Sequence, residues 1–307
     1  MNIHIENVDF SSSTGPNSFA SKLVKYMQMD GVSFNKNADP DYHLCFIESH
    51  KLRYDKPMFQ RLDGIYFNTD ADYLSQNRNI RRTYELANGV IFQSNFNKEL
   101  TFNYFGPHDN YRIIHNGADF NLIKETPQIK FERYNRLWTC ASSWRPHKRL
   151  NENIEYFLSH ADERDGLMIA GEVPFSKRIK HDHIHYLGNL GQKHLISLYK
   201  KSDFFIHLAW LDHCPNVVVD ARACGNKIIC SSSGGTKEIA GEDAIIIEEE
   251  KWDFEPLKLY HPPKLNFDKK VDNVWNMCYN SNMIEKSNLY KKFIGEYHEN
   301  NKTIIGR

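Results

Sequence analysis

The sequence predicts an α/β protein made of two domains, each built around a parallel sheet. Short apolar runs with strand character alternate with stretches of helical periodicity along most of the 307 residues. Such alternation is typical of right-handed βαβ units, in which consecutive strands lie parallel. The chain is also long enough to form two ordinary domains, each with its own core.

The overall composition is that of a soluble globular protein, with 40% hydrophobic and 25% charged residues. The 39 basic and 39 acidic residues balance, so we expect no broad electrostatic attraction to nucleic acid or anionic lipid. No apolar run approaches the length that spans a bilayer, and the N-terminus has no basic-then-apolar signal pattern. We therefore expect a cytoplasmic protein without a transmembrane segment.

The cysteines and histidines do not indicate a metal centre. None of the six cysteines belongs to a C-x-x-C pair, and most lie in apolar patterns that are typical of small buried thiols. His181, His183 and His185 alternate, which places them on one face of a strand or loop. A zinc site would need further ligands that we cannot identify in the sequence, so we interpret this cluster as a loop that enters a strand.

The first strand of the chain leads into a turn that suits ligand binding. Residues 2–6 form this predicted strand, and a polar segment then places Gly15 in a turn before a helix that is periodic from Phe19. Such a turn presents backbone N–H groups to an anion or a sugar hydroxyl. A plain βα turn is the structural alternative.

A second pair of strand ends carries charged side chains. The predicted strand 42–47 is followed by His50, and residues 56–62 lead into Arg61, Asp63 and a turn. Open α/β sheets bind ligands at the carboxyl ends of their strands, so these side chains are candidates for a site. An Arg–Asp pair that holds the turn is the structural alternative.

The second half repeats the alternation after a polar stretch, residues 124–135, which we interpret as a linker between the domains. Helical segments are predicted at 150–158, at 193–200 and around Asp220. The predicted strands are residues 137–141, 167–170, 184–187, 203–208, 227–230 and 244–247.

Residues 211–239 combine a loop, a helix, a strand and a second helix start. Two carboxylates, Asp212 and Asp220, flank Pro215, which suits the first turn of a helix that ends at Gly225. The short strand that follows leads to a glycine pair, and the helix start after it can present N–H groups to a phosphate.

This stretch resembles the signature of the retaining glycosyltransferases of family 4, which have the GT-B fold. In that family an acidic residue, seven further residues, a Glu and A-x-A-x-G are followed by a strand and G-G-x-x-E. The two acidic positions that are seven residues apart, which are a Glu-x7-Glu pair in the family, are both Asp in this chain, while the spacing, the glycines and the final Glu are kept. The matching residues are Asp212, Asp220, Ala221, Ala223, Gly225, Gly234, Gly235 and Glu238.

The resemblance implies two Rossmann-like domains that face a central cleft. An N-terminal, acceptor-side domain would cover residues 1–124, and the nucleotide-sugar-binding domain would cover residues 125–283. A helix over residues 284–307 would return to the N-terminal domain, and its periodicity puts Leu289 and Phe293 on the apolar side.

The resemblance also implies a role for each candidate residue. Asp212 would contact the transferred sugar, Asp220 the ribose, and Lys148 with Arg145 the donor diphosphate. Fixed cations suit that task because negative charge builds on the diphosphate as the sugar–phosphate bond breaks; a solvated basic loop is the alternative. Gly234 and Gly235 would also lie at the diphosphate, and Glu238 is the last residue of the signature. Gly15 would face the donor, and Gly171 would form part of the wall beside the base. Asp63 or His50 would stand where the family has a catalytically important His.

The implied activity is the transfer of a sugar, with retention at the anomeric carbon, from a nucleotide-diphosphate sugar to a glycan, a lipid-linked molecule or another hydroxyl acceptor. No metal or other cofactor is expected, since no Asp-x-Asp motif lies near Lys148 and Arg145. A noncatalytic GT-B protein that binds a sugar nucleotide or a glycan is the alternative, because a fold does not decide a function. A nicotinamide-dependent oxidoreductase would need a glycine fingerprint that this sequence lacks.

Overall fold

The computed structural model describes residues 1–12, 14–51, 55–272 and 280–305. The chain divides into two compact units, Met1–Gly117 with Asn280–Arg307 and Ala118–Tyr279. Within the residues described, no helix is both long and apolar enough to cross a membrane.

The first unit contains a five-stranded parallel sheet. Its strands are β1 (Ile3–Glu6), β2 (Tyr42–Phe46), β3 (Met58–Leu62), β4 (Gly89–Phe92) and β5 (Tyr111–Ile113), in that order across the sheet, with helices α1 (Gly15–Met29), α2 (Tyr73–Leu86) and α3 (Asn95–Phe105). The side chains of Asp72 and Ser94 cap α2 and α3 by accepting N–H groups of the first turn. An isolated parallel bridge between Asn2 and Ser33 continues the sheet beyond β1.

The second unit contains a seven-stranded sheet in which only the last pairing is antiparallel. Its strands are β6 (Leu137–Ala141), β7 (Gly166–Ala170), β8 (Ile184–Gly188), β9 (Phe204–His207), β10 (Lys227–Ser231), β11 (Ile245–Ile247) and β12 (Lys270–Val271), in the order β12-β11-β10-β9-β6-β7-β8. Its helices are α4 (Phe120–Glu125), α5 (Leu150–His160), α6 (Gln192–Tyr199) and α7 (Asn216–Ala223). β6 and β7 are buried along their whole length, as apolar strands in a parallel sheet with two covered faces must be.

The boundary between the units lies before α4 rather than after it. The sequence predicts a domain boundary after residue 124, but Ala118 and the helix that follows it belong to the second unit. Lys200, which directly follows α6, donates from Nζ to the carbonyls of Ile123 (3.0 Å) and Thr126 (2.6 Å), which satisfies the open C-terminal end of α4. These hydrogen bonds attach α4 to the second unit.

The C-terminal helix α8 (Met283–Ile305) packs on the first unit. Phe293 contacts Phe59 of β3 edge-on at 5.5 Å between ring centres, and Tyr290 accepts a hydrogen bond from Arg61. Leu289, which the periodicity places on the apolar side, is 38% exposed. The buried stripe is therefore rotated from the predicted one, and it follows Tyr290 and Ile294 as well as Phe293.

The order β10-β9-β6 brings three loops to one edge of the second sheet. Parallel strands end at the same edge, so the loops that follow β6, β9 and β10 begin beside one another. These loops contain Lys148, Asp212 and Gly234. Side chains that are far apart in the sequence therefore meet at this edge.

Candidate functional site

Asp212 is the centre of a cluster of polar side chains in the second unit. One carboxylate oxygen, Oδ2, accepts hydrogen bonds from Lys148 Nζ (2.5 Å) and from His207 Nε2 (2.9 Å). The other oxygen, Oδ1, accepts the backbone N–H of His213 (3.0 Å). The side chains of Lys148 and Asp212 are only 16% and 14% exposed. The structure thus brings Lys148 and Asp212, both predicted site residues, into direct contact in a largely desolvated place.

The charges in this cluster follow from burial and pairing. Burial by itself would raise the pKa of Asp212, but the Lys148 ammonium and the hydrogen bond from His207 outweigh it and hold that pKa well below its usual value. Burial lowers the pKa of His207, and Asp212 offsets this only in part, so the imidazole is neutral and donates from Nε2 to the carboxylate. Burial also lowers the pKa of His147 to about 3 and that of His213 to about 4. At neutral pH the cluster therefore holds a carboxylate, an ammonium group and neutral imidazoles.

A short turn places Lys148 in this cluster. The chain leaves β6 and forms one turn of 3₁₀ helix over Pro146–Lys148, in which the N–H of Lys148 donates to the carbonyl of Arg145 (2.8 Å). The carbonyl of His147 accepts the N–H of Trp210 (2.7 Å), which joins this turn to the loop after β9. The backbone of the turn is thus tied to the loop that carries Asp212.

The glycine pair after β10 presses its backbone against Asp212. Gly234 has φ +70°, and a Cβ on it would lie 2.4 Å from the carbonyl oxygen of Asp212. The N–H of Gly235 donates to that same carbonyl (2.7 Å). The resemblance implies that both N–H groups bind a diphosphate; in this structure the N–H of Gly235 donates within the protein to the loop after β9, and the binding role of the pair stays a prediction. The pair holds Asp212 in place by close approach.

Gly171 has a similar packing role at the next strand end. It has φ +103°, and a Cβ there would lie 2.0 Å from the carbonyl oxygen of Ser142 in the loop after β6. Trp144 of that loop donates its indole N–H to Ala170 (3.0 Å), and the N–H of Gly171 donates to Gly188 (2.8 Å). Gly171 thus lets three strand ends pack together.

Asp220 and Glu238, the remaining acidic candidates of this unit, lie on separate elements. Asp220 is half-buried on α7. Burial is the main reason that the pKa of Cys224 is raised to about 12 and that the pKa of Tyr199 is raised, and the negative charge of Asp220 adds to both effects. Because Tyr199 is the last residue of α6, the Asp220 carboxylate lies near that helix. Glu238 is buried within the 3₁₀ turn Thr236–Ile239. Their binding roles stay predictions.

Arg145 lies on the exposed side of the loop that carries Lys148. Its N–H donates to the carbonyl of Ser143 (2.8 Å), and its own carbonyl accepts the N–H of Lys148. The loop is therefore ordered by its own backbone bonds. Lys148 does not fit the alternative of a solvated basic loop, because its ammonium group is largely buried against Asp212.

Gly15 and Asp63, the other predicted site residues, lie in the first unit. Gly15 is the first residue of α1, as a turn between strand and helix requires. Asp63 forms an ion pair with Arg61, a fully buried residue that also donates to Asn116 (2.6 Å). This geometry matches the structural alternative of an Arg–Asp pair that holds a turn. The side chain of His50, the other candidate for this position, is 70% exposed.

His207 takes part in the candidate site, whereas the histidines of the segment 181–185 do not. His207 was missed, although it lies five residues before Asp212 at the end of a predicted strand. The cluster 181–185 is structural, as we interpreted it: His185 Nε2 is hydrogen-bonded to Tyr134 (2.6 Å) and His183 Nδ1 to the carbonyl of Asp165 (2.9 Å). A polar residue that ends an apolar strand is the signal that would have found His207.

Comparison with known proteins identifies the type of domain. The family model described as glycosyl transferases group 1 matches residues 137–254. No curated protein sequence matches the chain significantly.

Solved structures match nearly the whole chain. Sucrose-phosphate synthase from Thermosynechococcus elongatus has a TM-score of 0.63 at 10% identity and covers 99% of both chains. HepE from Anabaena in complex with UDP-glucose has a TM-score of 0.61 at 13% identity, over 99% of this chain and 100% of that one. The catalytic domain of Starch Synthase IV from Arabidopsis thaliana, bound to ADP and acarbose, has a TM-score of 0.56 at 13% identity. The match covers 91% of this chain and 76% of that one. At these identities the likeness establishes the fold, and the fold is GT-B.

The glycine pair provides a stability test with a matched control. Gly234→Ala should destabilise the protein by more than ~2 kcal/mol, because it combines an unfavourable left-handed backbone with a clash against Asp212. Gly225→Ala shares the positive φ (+96°) but has nothing within 4 Å of the added methyl, so its loss should be clearly smaller. Denaturant unfolding measures both. Equal losses would contradict the close-approach role of Gly234.

Proposed function

Residues 137–254 of this GT-B protein form a glycosyl transferases group 1 domain, and from that premise we propose that the chain is a retaining glycosyltransferase. The donor would be a nucleotide-diphosphate sugar, and the acceptor would be a hydroxyl of a glycan, a lipid-linked molecule or another compound. The observation that carries the proposal is the desolvated cluster of Lys148, Asp212 and His207 at the edge of this domain's sheet.

Lys148 suits the leaving diphosphate. An ammonium group has three N–H donors, and Asp212 takes one of them, so the others are free to bind phosphate oxygens in turn. The ion pair also holds the ammonium in one place, which lowers the entropy lost when a donor binds. A positive charge fixed where negative charge develops stabilises the transition state. Arg145, exposed on the same loop, would supply a second cation.

Asp212 suits the sugar that is transferred. The anomeric carbon becomes positively charged as its bond to the leaving group breaks. A buried carboxylate that stays ionised stabilises this charge, and His207 keeps it oriented by donating from Nε2 (2.9 Å). Oδ1 accepts one backbone N–H, and a carboxylate oxygen has a second lone pair that can accept a sugar hydroxyl. Asp in place of the family's Glu is long enough to reach Lys148 and His207 at hydrogen-bond distance.

The nucleoside part of the donor would be bound by the other predicted residues of the second unit. Asp220, half-buried on α7, would accept the ribose hydroxyls, and Gly171 would let the base-side wall form. The complexes of HepE with UDP-glucose and of Starch Synthase IV with ADP support a nucleoside diphosphate as the common part of the donor. Glu238 would complete this side of the site.

A noncatalytic protein that binds a sugar nucleotide is the second candidate. One observation favours it: Asp63, which lies nearer than His50 to the place where the resemblance implies a catalytic His, is held in an ion pair with Arg61. Binding without turnover is the property that separates this candidate from the first.

The proposal predicts turnover of one donor from a panel of UDP, GDP and ADP sugars, measured as released nucleotide. Lys148→Gln keeps a hydrogen-bond donor for Asp212 but loses the charge, so the rate should fall by about 10²–10³-fold. Lys177→Gln removes an exposed lysine of the same unit and should leave the rate unchanged. The product should keep the anomeric configuration of the donor by NMR. Tight nucleotide binding with no release from any donor would favour the noncatalytic candidate.

The proposal further predicts that turnover needs no divalent metal. Lys148 and Arg145 can neutralise the diphosphate, and no Asp-x-Asp motif lies near them in the sequence. The rate with the preferred donor should be the same in chelator as in magnesium or manganese. Activity that disappears in chelator and returns with either ion would contradict this part.

A further inference from the structure

Arg149, the residue after Lys148, has a backbone conformation that is rare for any residue except glycine. Its φ and ψ are 52° and 53°, in the left-handed region. Its side chain is nevertheless fully buried (0% exposed). A long charged side chain at a strained and buried position persists only where its surroundings hold it there.

A buried carboxylate supplies most of that hold. Glu249, which follows β11 and is 3% exposed, accepts from Arg149 Nη1 (3.0 Å) at Oε2 and from Nη2 (2.6 Å) at Oε1. Such a bidentate pair fixes the orientation of the guanidinium as well as its position. The guanidinium also donates to the carbonyls of Leu208 (3.1 Å) and Pro263 (2.8 Å). Arg149 therefore joins the ends of β9 and β11 to the segment that leads to β12.

The backbone on both sides of Arg149 is held at the same place. The amide of Asn153, a buried residue of α5, donates from Nδ2 to the carbonyls of Lys148 (3.1 Å) and Arg149 (2.6 Å). The N–H of Glu249 in turn donates to Ser232 (2.8 Å), in the loop that leads to the glycine pair. The pair thus connects the turn of Lys148 to the loop that presses on Asp212.

The segment before Pro263 also covers this turn. The ring of Tyr260 stacks on His147, with 5.5 Å between ring centres and 29° between planes. His147 directly precedes Lys148 in the 3₁₀ turn. Displacing Pro263 from Arg149 would therefore disturb the turn at its other side as well.

We propose that the buried Arg149–Glu249 pair is a positioning device, which sets the backbone of Lys148 and so aims its ammonium group at the donor diphosphate. The proposal rests on the proposed function for the identity of that ligand. Both side chains are too buried to touch a substrate, so they act through Lys148. Removing the charge of Glu249 leaves the Arg149 guanidinium buried without an ionic partner. The turn then loses the main contact that stabilises its left-handed backbone conformation.

The chain offers a matched control at the opposite edge of the same sheet. Arg136 and Asp165 precede β6 and β7, and Arg136 Nη2 lies 2.7 Å from a carboxylate oxygen of Asp165, whose side chain is 1% exposed. The side chain of Arg136 is 37% exposed, so Asp165→Asn removes a buried carboxylate charge from a partly exposed pair, far from the loop ends that carry Lys148. It tests what the loss of a buried, paired carboxylate does to stability alone.

The test compares Glu249→Gln with Asp165→Asn in two measurements that do not need turnover. The first is the acetylation rate of Lys148 by an amine-reactive ester, with exposed Lys177 as the internal standard in the same mass spectra. The second is the affinity for the nucleoside diphosphate of the preferred donor by calorimetry. Glu249→Gln should raise the labelling of Lys148 and weaken the affinity, each by about tenfold, while Asp165→Asn should change neither. Both variants should melt at lower temperature.

Unchanged labelling and affinity in Glu249→Gln, with only a lowered melting temperature, would overturn the proposal. If Glu249→Gln fails to fold, Glu249→Asp takes its place, because it keeps the charge and shortens the side chain. It should change the labelling and the affinity in the same direction by a smaller amount. Wild-type labelling and affinity in a folded Glu249→Asp would also overturn the proposal. A wild-type chain that binds no nucleotide would contradict the proposed function, while the labelling would still decide the positioning role.

Discussion

The ion pair between Lys148 and Asp212 is the contact on which the candidate site depends. Two charges that leave water gain little from their mutual attraction unless each has further hydrogen bonds. Asp212 obtains them from a neutral His207 and from the backbone of His213. This requirement explains why an imidazole ends β9. Burial lowers the pKa of His207, and the neutral ring then donates to the carboxylate without adding a second positive charge.

The second constraint is the close approach of backbones at the ends of neighbouring parallel strands. Gly171 and Gly234 both have positive φ, and in both cases an added Cβ would collide with a carbonyl oxygen of an adjacent loop. The loops after β6, β9 and β10 can therefore pack directly on one another. A carboxylate and an ammonium group from different loops meet at hydrogen-bond distance because these backbones lie so close.

Much of this arrangement was predictable from the sequence, and the exceptions have a common physical origin. Apolar runs located the strands of the second unit, and the spacing from Asp212 to Gly234 located the loops, because both are properties of a continuous segment. The hydrogen bonds of the Gly235 N–H and of His207 to Asp212 were not predicted. They depend on which strands are neighbours in the sheet, and the sequence of one segment does not contain that information. Leu289 was misplaced for a related reason: periodicity predicts that a helix has an apolar face, but the surface it packs on decides the rotation.

The most direct test separates Asp212 from Asp220 by calorimetric titration with the preferred nucleoside diphosphate. Asp220→Asn should weaken binding by about tenfold or more, because hydrogen bonds from ribose hydroxyls to a carboxylate contribute ~1.5–3 kcal/mol each. Asp212→Asn should not weaken it, since the neutral amide releases Lys148 to the diphosphate, and its cost should appear in turnover. Unchanged affinity in Asp220→Asn, or a tenfold loss in Asp212→Asn, would contradict the account.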